Sequence, residues 1–247
     1  MSTKKKTGIV LSALLTLAFA GAANAEVGYM EPDISHHDRD SIRKGAELFA
    51  DYCVGCHSVE YLRYQRLADD VGEDEAWVRS EIMHGDHDMV DPIESPMSAE
   101  DGESWFGLEV PDLSLTTAVE GEDWVYTYLN TFYVDEDAEV GYNNWVQEGT
   151  SMPHILFALQ GDQKAVRDDD GNIVGFEPVE GHAGEGELTE EEYREVTAQL
   201  TAFLSYAAEP IQADRERLGV WVILFLIVLT GVLYLLYKEY WRDVKGH

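Results

Sequence analysis

The 247-residue chain is short of thiols and of positive charge. It holds only two cysteines, Cys53 and Cys56, and it sets 17 Lys and Arg against 48 Asp and Glu, a formal net charge of −31. Two cysteines exclude a disulfide framework if the thiols have any other use, and they exclude a four-thiolate metal site. The lack of basic residues excludes nucleic acid as a partner, because phosphates must be neutralised by Lys and Arg. The shortage is sharpest over residues 71–140, with 20 acidic residues and a single basic one, Arg79. Such a field steers a basic protein partner toward the chain, and it also keeps a protein solvated in salty surroundings; the two readings are compatible. No internal repeat is visible. Asp168-Asp169-Asp170-Gly171-Asn172 begins like a calcium loop, but the twelfth position is Val179 rather than glutamate. A hairpin turn joining Ala165-Val166 to Ile173-Val174 is the better reading.

Both cysteines fall in one pentapeptide, Cys53-Val54-Gly55-Cys56-His57. Cys-x-x-Cys-His is the attachment signature of c-type haem. Two intervening residues put both sulfurs on one side of a tight turn, where they can add across the two vinyl groups. The next residue then offers an imidazole to the iron from beneath the same porphyrin. A thiol–disulfide pair would expect a parallel βαβ setting, which is not visible. Half a zinc site would need a second paired motif, and His84 and His87 stand too isolated to make one. A ligand for the far side of the iron is sought among the methionines. Met97 and Met152 each stand beside a proline, and the residues alone leave both open, with Met152 favoured for its non-helical setting, Gly149-Thr150-Ser151-Met152-Pro153-His154.

The two ends of the chain read as membrane signals. Lys4, Lys5 and Lys6, an apolar stretch over 9–20 and Ala23-Asn24-Ala25 predict a signal peptide over 1–25, with the mature chain starting at Glu26 outside the cytoplasm. Removing those three lysines leaves 14 basic against 48 acidic groups, −34. Residues 218–237 contain no charged residue over a length that reaches about 30 Å as a helix, enough to cross a bilayer. Trp221, Tyr234, Tyr237, Tyr240 and Trp241 sit near its ends. The reading is therefore a haem domain over 26–212, an anchor over 213–239 and a cytoplasmic tail over 240–247.

Between these ends the pattern is mostly helical. Residues 38–52 predict a helix capped by Asp40 or Ser41, with Gly45 free to admit another helix closely. Residues 58–68 read as a helical or turn segment, 73–84 as a short amphipathic helix and 85–102 as loop. Pro111-Asp112 predicts a turn before a helix capped by Asp112 or Ser114, and 122–133 predicts a helix rich in aromatic residues. The 141–145 segment reads as a turn cluster and 181–186 as linker. Thr189 opens a long helix, ended by Pro210, that should pack across the first one near Gly45. Arg63 and Arg66 are candidates to meet a haem propionate.

Taken together, Gly45-Ala46-Glu47-Leu48-Phe49, Cys53 to His57, Tyr64, Trp105-Phe106-Gly107, Pro111-Asp112-Leu113-Ser114, Gly141-Tyr142-Asn143-Asn144, Met152-Pro153-His154 and the C-terminal span resemble the cytochrome c1 family. The resemblance implies a mainly α fold: a cytochrome c-like haem domain with a large insertion between the axial ligands, plus one C-terminal transmembrane helix. It implies one haem c held covalently by Cys53 and Cys56, with His57 and Met152 as iron ligands. It further implies an electron-transfer subunit of the bc1 complex in a bacterial inner membrane, with the haem domain on the periplasmic side. Cytochrome b and the Rieske iron–sulfur protein would be its neighbours and a cytochrome c its acceptor. One departure stands out: members usually carry an arginine soon after Pro-Asp-Leu-Ser, where this chain has Thr116-Thr117-Ala118-Val119-Glu120, and Val110 replaces the first proline of that motif. The competing readings are a free-standing tethered cytochrome c, a haem enzyme with an open iron site, and a thiol–disulfide module.

Overall fold

In the computed structural model, which describes residues 28–179 and 186–242, the first helix among the described residues, α1 (Arg39–Tyr52), is entered through Asp38. The Asp38 carboxylate accepts from the Asp40 and Ser41 amides at 3.1 and 3.2 Å. The cap therefore lies just ahead of the two expected candidates, whose N–H groups need an acceptor from outside the helix. Ile42, Gly45, Ala46, Phe49 and Ala50 form its buried stripe. The expected leader over 1–25, most of the 181–186 linker and the end of the tail lie outside the described residues.

The segment after the haem motif differs from expectation. Residues 58–68 divide into a strand, β1 (Val59–Arg63), and a helix, α2 (Tyr64–Val71), which ends at Gly72 in the left-handed conformation (φ +85°). Tertiary partners override helical propensity here. The Glu60 amide is taken by Asp112 at 2.9 Å and the Tyr61 amide by Ser114 at 3.2 Å. Antiparallel pairing with β2 (Pro92–Ile93) then buries Val59 and Leu62. The amphipathic stretch at 73–84 forms a turn of helix, α3 (Glu75–Trp77), continued by a π-helical turn over Val78–Ile82 that buries Val78 and Ile82. The region read as loop over 85–102 contains β2, and it gives way to α4 (Ala99–Phe106), capped by Ser98.

The helix expected over 122–133 stops early. After α5 (Thr116–Glu120), α6 (Glu122–Asn130) ends where Asn130 and Thr131 turn their side chains back onto the carbonyls of Tyr126 and Thr127, at 2.7 and 2.8 Å. Phe132 to Val134 becomes β3 (Phe132–Val134), and the supposed turn cluster supplies its partner, β4 (Tyr142–Asn144), in the register Phe132–Asn144, Tyr133–Asn143 and Val134–Tyr142. After α7 (Phe157–Gln160), strands β5 (Gln163–Arg167) and β6 (Ile173–Pro178) form the expected antiparallel hairpin around Asp168–Asn172.

Helix α8 (Glu190–Ala208) starts in a reciprocal cap: Thr189 accepts from the Glu192 amide while the Glu192 carboxylate accepts from the Thr189 amide. It crosses α1 at Gly45, as the sequence predicts. A Cβ at Gly45 would lie 2.0 Å from the Gln199 carbonyl oxygen, so only glycine permits this approach. Phe49 and Phe203 seal the crossing with ring centroids 5.3 Å apart. Burying each such ring contributes about 1.5–3 kcal/mol. The crossing holds the C-terminal end of α1, and with it the haem motif, against the core. The chain then continues into α9 (Gln212–Tyr240), 29 residues long, with no residue buried. It is the one helix among the described residues long and apolar enough to cross a membrane. At 1.5 Å per residue it reaches about 43 Å, longer than the uncharged run alone.

Candidate functional site

Cys53 to His57 continues α1 as a tight turn. The Cys53 amide still donates to Phe49, and the His57 amide donates back to the Cys53 carbonyl at 2.8 Å. Cys53, Cys56 and His57 thereby line one wall of a cleft of about 580 Å³. The thiols are free. Burial pushes Cys53 up to about 12, helped by Cys56, and burial raises Cys56 as well. Thiols used in disulfide exchange are shifted the opposite way, toward thiolate, so the environment argues against a thiol–disulfide module.

His57 is oriented by its backbone neighbour. Its Nδ1 lies 2.8 Å from the Pro111 carbonyl oxygen. A carbonyl can only accept, so Nδ1 carries the proton and Nε2 keeps its lone pair. That is the arrangement in which a histidine serves a metal, the second nitrogen being fixed by a hydrogen bond. Burial lowers the His57 pKa, against opposing contributions from Pro111 and Asp112, which favours the neutral ring.

The Pro-Asp-Leu-Ser stretch acts as a clamp rather than a cap. The residue at the start of α5 is Leu115, with no side-chain cap. Asp112 instead accepts from the Ser114 amide at 2.8 Å and, with its other oxygen, from Glu60. Ser114, fully buried, accepts from Tyr61, and the Leu113 amide donates to the Ser58 carbonyl at 2.9 Å. The two segments are thus laced together just after His57, which fixes the Pro111 carbonyl where Nδ1 needs it.

The facing part of the cleft comes from far along the chain. Thr150, Ser151, Met152 and Pro153 line it, as do Trp124, Val125, Tyr128 and Leu129 of α6. Met97 is not among the lining residues; its amide is held by Ser95. Thr150 Oγ1 lies 2.7 Å from the Tyr128 hydroxyl and 3.4 Å from the Met152 amide, which donates to it. Tyr128 stacks on Trp124 with centroids 5.1 Å apart. His154 is 3% exposed and lies face to face with Phe132. Burial lowers its pKa to about 4, so the ring is neutral. The Gln160 amide is its polar neighbour, yet His154 Nε2 and Gln160 Oε1 close no hydrogen bond of ordinary geometry. The aromatic residues of 122–133, Tyr128 among them, are expected as haem-cleft or core walls, and Tyr128 does line the cleft; Thr150 and His154 carry no signal in the sequence beyond flanking Met152.

Neither arginine proposed for a propionate reaches the cleft. Arg63 donates to the Val90 carbonyl at 3.1 Å, and Arg66 is engaged by Asp70 one helical turn on, at 2.5 Å. Among the described residues no Lys or Arg lines the cleft, whose carboxylates are Asp112 and Glu120.

The model of the Cytochrome C1 family matches residues 30–244. The chain belongs to the cytochrome c1 family. It is 41% identical over 240 residues to cytochrome c1 of Allochromatium vinosum, covering 96% of this chain and 97% of that one. It is 37% identical to a Nitrosomonas europaea protein named ammonia monooxygenase gamma subunit, covering 96% and 97%. Cytochrome c1 of Blastochloris viridis is 26% identical, covering 85% and 83%. Membership makes the chain an electron-transfer subunit of the bc1 type and implies a haem c. The donor set fits that group: two free thiols, a neutral imidazole with Nε2 unencumbered and a thioether share one largely apolar cleft, of a size typical for cofactor sites.

Proposed function

We propose that this chain relays single electrons from a Rieske iron–sulfur protein to a cytochrome c, beside cytochrome b in a membrane complex. Cys53 and Cys56 would hold a haem c covalently, with His57 and Met152 as the side chains that would bind its iron, and the group would supply a one-electron couple. The carrying observation is that Cys53, Cys56, His57 and Met152 line a single cleft although 95 positions separate His57 from Met152. Imidazole-plus-thioether ligation favours a raised reduction potential and leaves no open position for a substrate, as a relay requires.

The chain's own residues do three things. The Pro111 carbonyl holds His57 in the tautomer that presents Nε2. Thr150 and Tyr128 hold the Met152 loop. The apolar wall of Trp124, Val125 and Leu129 excludes water, so that little solvent reorganises when the charge of the iron changes. Residues 1–25 act as the signal peptide, 26–212 as the periplasmic haem domain, 213–239 as the anchor and 240–247 as the cytoplasmic tail. The acidic surface attracts a basic acceptor.

Purification of the full-length chain from membranes in mild detergent tests the reading. Co-purification with cytochrome b and a Rieske protein, together with a covalent c-type haem spectrum that survives denaturation, is expected. Recovery of the haem protein alone would leave a free-standing tethered cytochrome c as the function.

A further inference from the structure

The loop that carries Met152 has no regular secondary structure from Thr150 to Pro153, so no backbone ladder sets the place of its sulfur. Side chains on both sides of Met152 do. Ahead of it, buried Thr150 meets the Tyr128 hydroxyl at 2.7 Å and receives the Met152 amide. Behind it, His154 lies flat on Phe132, with centroids 5.0 Å apart and planes 7° apart, and meets Tyr142 edge-on at 5.4 Å and 72°.

The two anchor points are one structure. Tyr128 touches Phe132 edge-to-face at 5.0 Å and 75°, and it stacks on Trp124. A continuous row of rings therefore runs Trp124–Tyr128–Phe132–His154–Tyr142, from α6 through β3 and the ligand loop to β4. Offset and edge-on pairs are directional, so such a row resists sliding in a way that aliphatic packing does not. Phe132, below 2% exposed, is its fixed centre.

We propose that His154 and Tyr128 are positioning residues for Met152, pinning the loop on both sides of the sulfur and so setting the strength of the sulfur–iron bond and the reduction potential. The proposal rests on Met152 being the distal ligand. It assigns the work at 154 to the ring, because the contacts of that ring with Phe132 and Tyr142 are what join the ligand loop to the row.

The test uses the full-length, haem-loaded chain in detergent, with haem content measured after denaturation. Three readouts report on the sulfur: the far-red absorption band of a thioether bound to ferric iron, the midpoint potential, and the affinity of the ferric form for added imidazole, which competes with Met152. Met152→Leu sets the fully released limit. His154→Ala should tighten imidazole binding at least about tenfold and lower the potential by at least about 59 mV, the one-electron equivalent of tenfold. Tyr128→Phe keeps every ring and deletes one hydroxyl; it should tighten imidazole about fivefold, the worth of one hydrogen bond. His154→Phe keeps the row and should stay within about twofold of the parent.

If His154→Ala and Tyr128→Phe both match the parent while Met152→Leu loses the band, the positioning role is wrong and the ligand assignment stands. If Met152→Leu changes nothing, the ligand assignment itself fails and takes the proposal with it. A His154→Phe protein that shifts as far as His154→Ala overturns the assignment to the ring. Should His154→Ala fail to accumulate, Tyr128→Phe decides alone, since an unchanged imidazole affinity there refutes the pinning.

Discussion

Replacing Gly45 by alanine probes the crossing that carries the haem motif. The new Cβ would lie 2.0 Å from the Gln199 carbonyl oxygen, 2.7 Å from its carbon and 2.8 Å from Phe203 Cβ. Two of these atoms are backbone of α8, tied into its hydrogen-bond ladder, so no side-chain rotation relieves the overlap. The helices must part, and the Phe49–Phe203 contact must loosen with them. Overpacking of this kind costs about 1–3 kcal/mol, and a backbone obstacle puts the cost at the upper end. Alanine returns about 1 kcal/mol through its better helix propensity. The net loss is about 2 kcal/mol, which for a domain of this size lowers the melting temperature by about 4–8 °C. Melts of haem-loaded protein, followed by far-ultraviolet and haem circular dichroism at matched haem content, measure it. Gly175→Ala, where a Cβ meets nothing within 4 Å, is the control and should melt with the parent. A Gly45→Ala protein melting at or above the parent temperature would refute the argument that close approach is what this glycine is for.

Three further outcomes follow from the same coordinates. Thr189→Ala removes the reciprocal cap of α8 and should cost about 1 kcal/mol, read as a melting temperature lower by about 2–4 °C. Tyr142 donates to Asp162 at 2.7 Å, and burial together with that carboxylate pushes its pKa up to about 12. The folded state prefers the neutral phenol, so this contribution is complete below the ordinary value of 10 and is lost as pH rises from there through 12. Tyr142→Phe should accordingly flatten the alkaline fall in stability over that window, and an unchanged slope in denaturant titrations would contradict it. Electron transfer to a basic cytochrome c should slow as salt is raised while transfer to an acidic one does not; equal salt dependence would show that the acidity serves solvation and not docking.

How much of this was legible in the sequence depended on whether a residue's partner was near it in the chain. The turn at Cys53 to His57, the hairpin around Asp168–Asn172, the Thr189 cap and the helix-admitting Gly45 are local signals, and each has the form its residues dictate. The strand at Val59–Arg63 and the early stop of α6 are not local. The first follows from Asp112 and Ser114, more than 50 residues away, taking the amides of Glu60 and Tyr61. The second follows from β4 standing ready to pair with Phe132 to Val134. The same distinction explains the misreading of Asp112 and Ser114 as helix caps. Both side chains accept from backbone N–H groups, and the donors are the β1 amides of Glu60 and Tyr61 and, for Asp112, the amide of Ser114 as well. That choice matters for function, because it leaves the Pro111 carbonyl directed at His57. An imidazole that must present one nitrogen to an iron needs its other nitrogen held by something that cannot turn away. A backbone carbonyl whose following residues, Asp112 to Ser114, are laced to Ser58, Glu60 and Tyr61 meets that need. At the Met152 loop a hydroxyl and a row of rings do the holding. The Met152 loop is thus held by neutral contacts, whereas beside His57 the Asp112 carboxylate is itself part of the clamp.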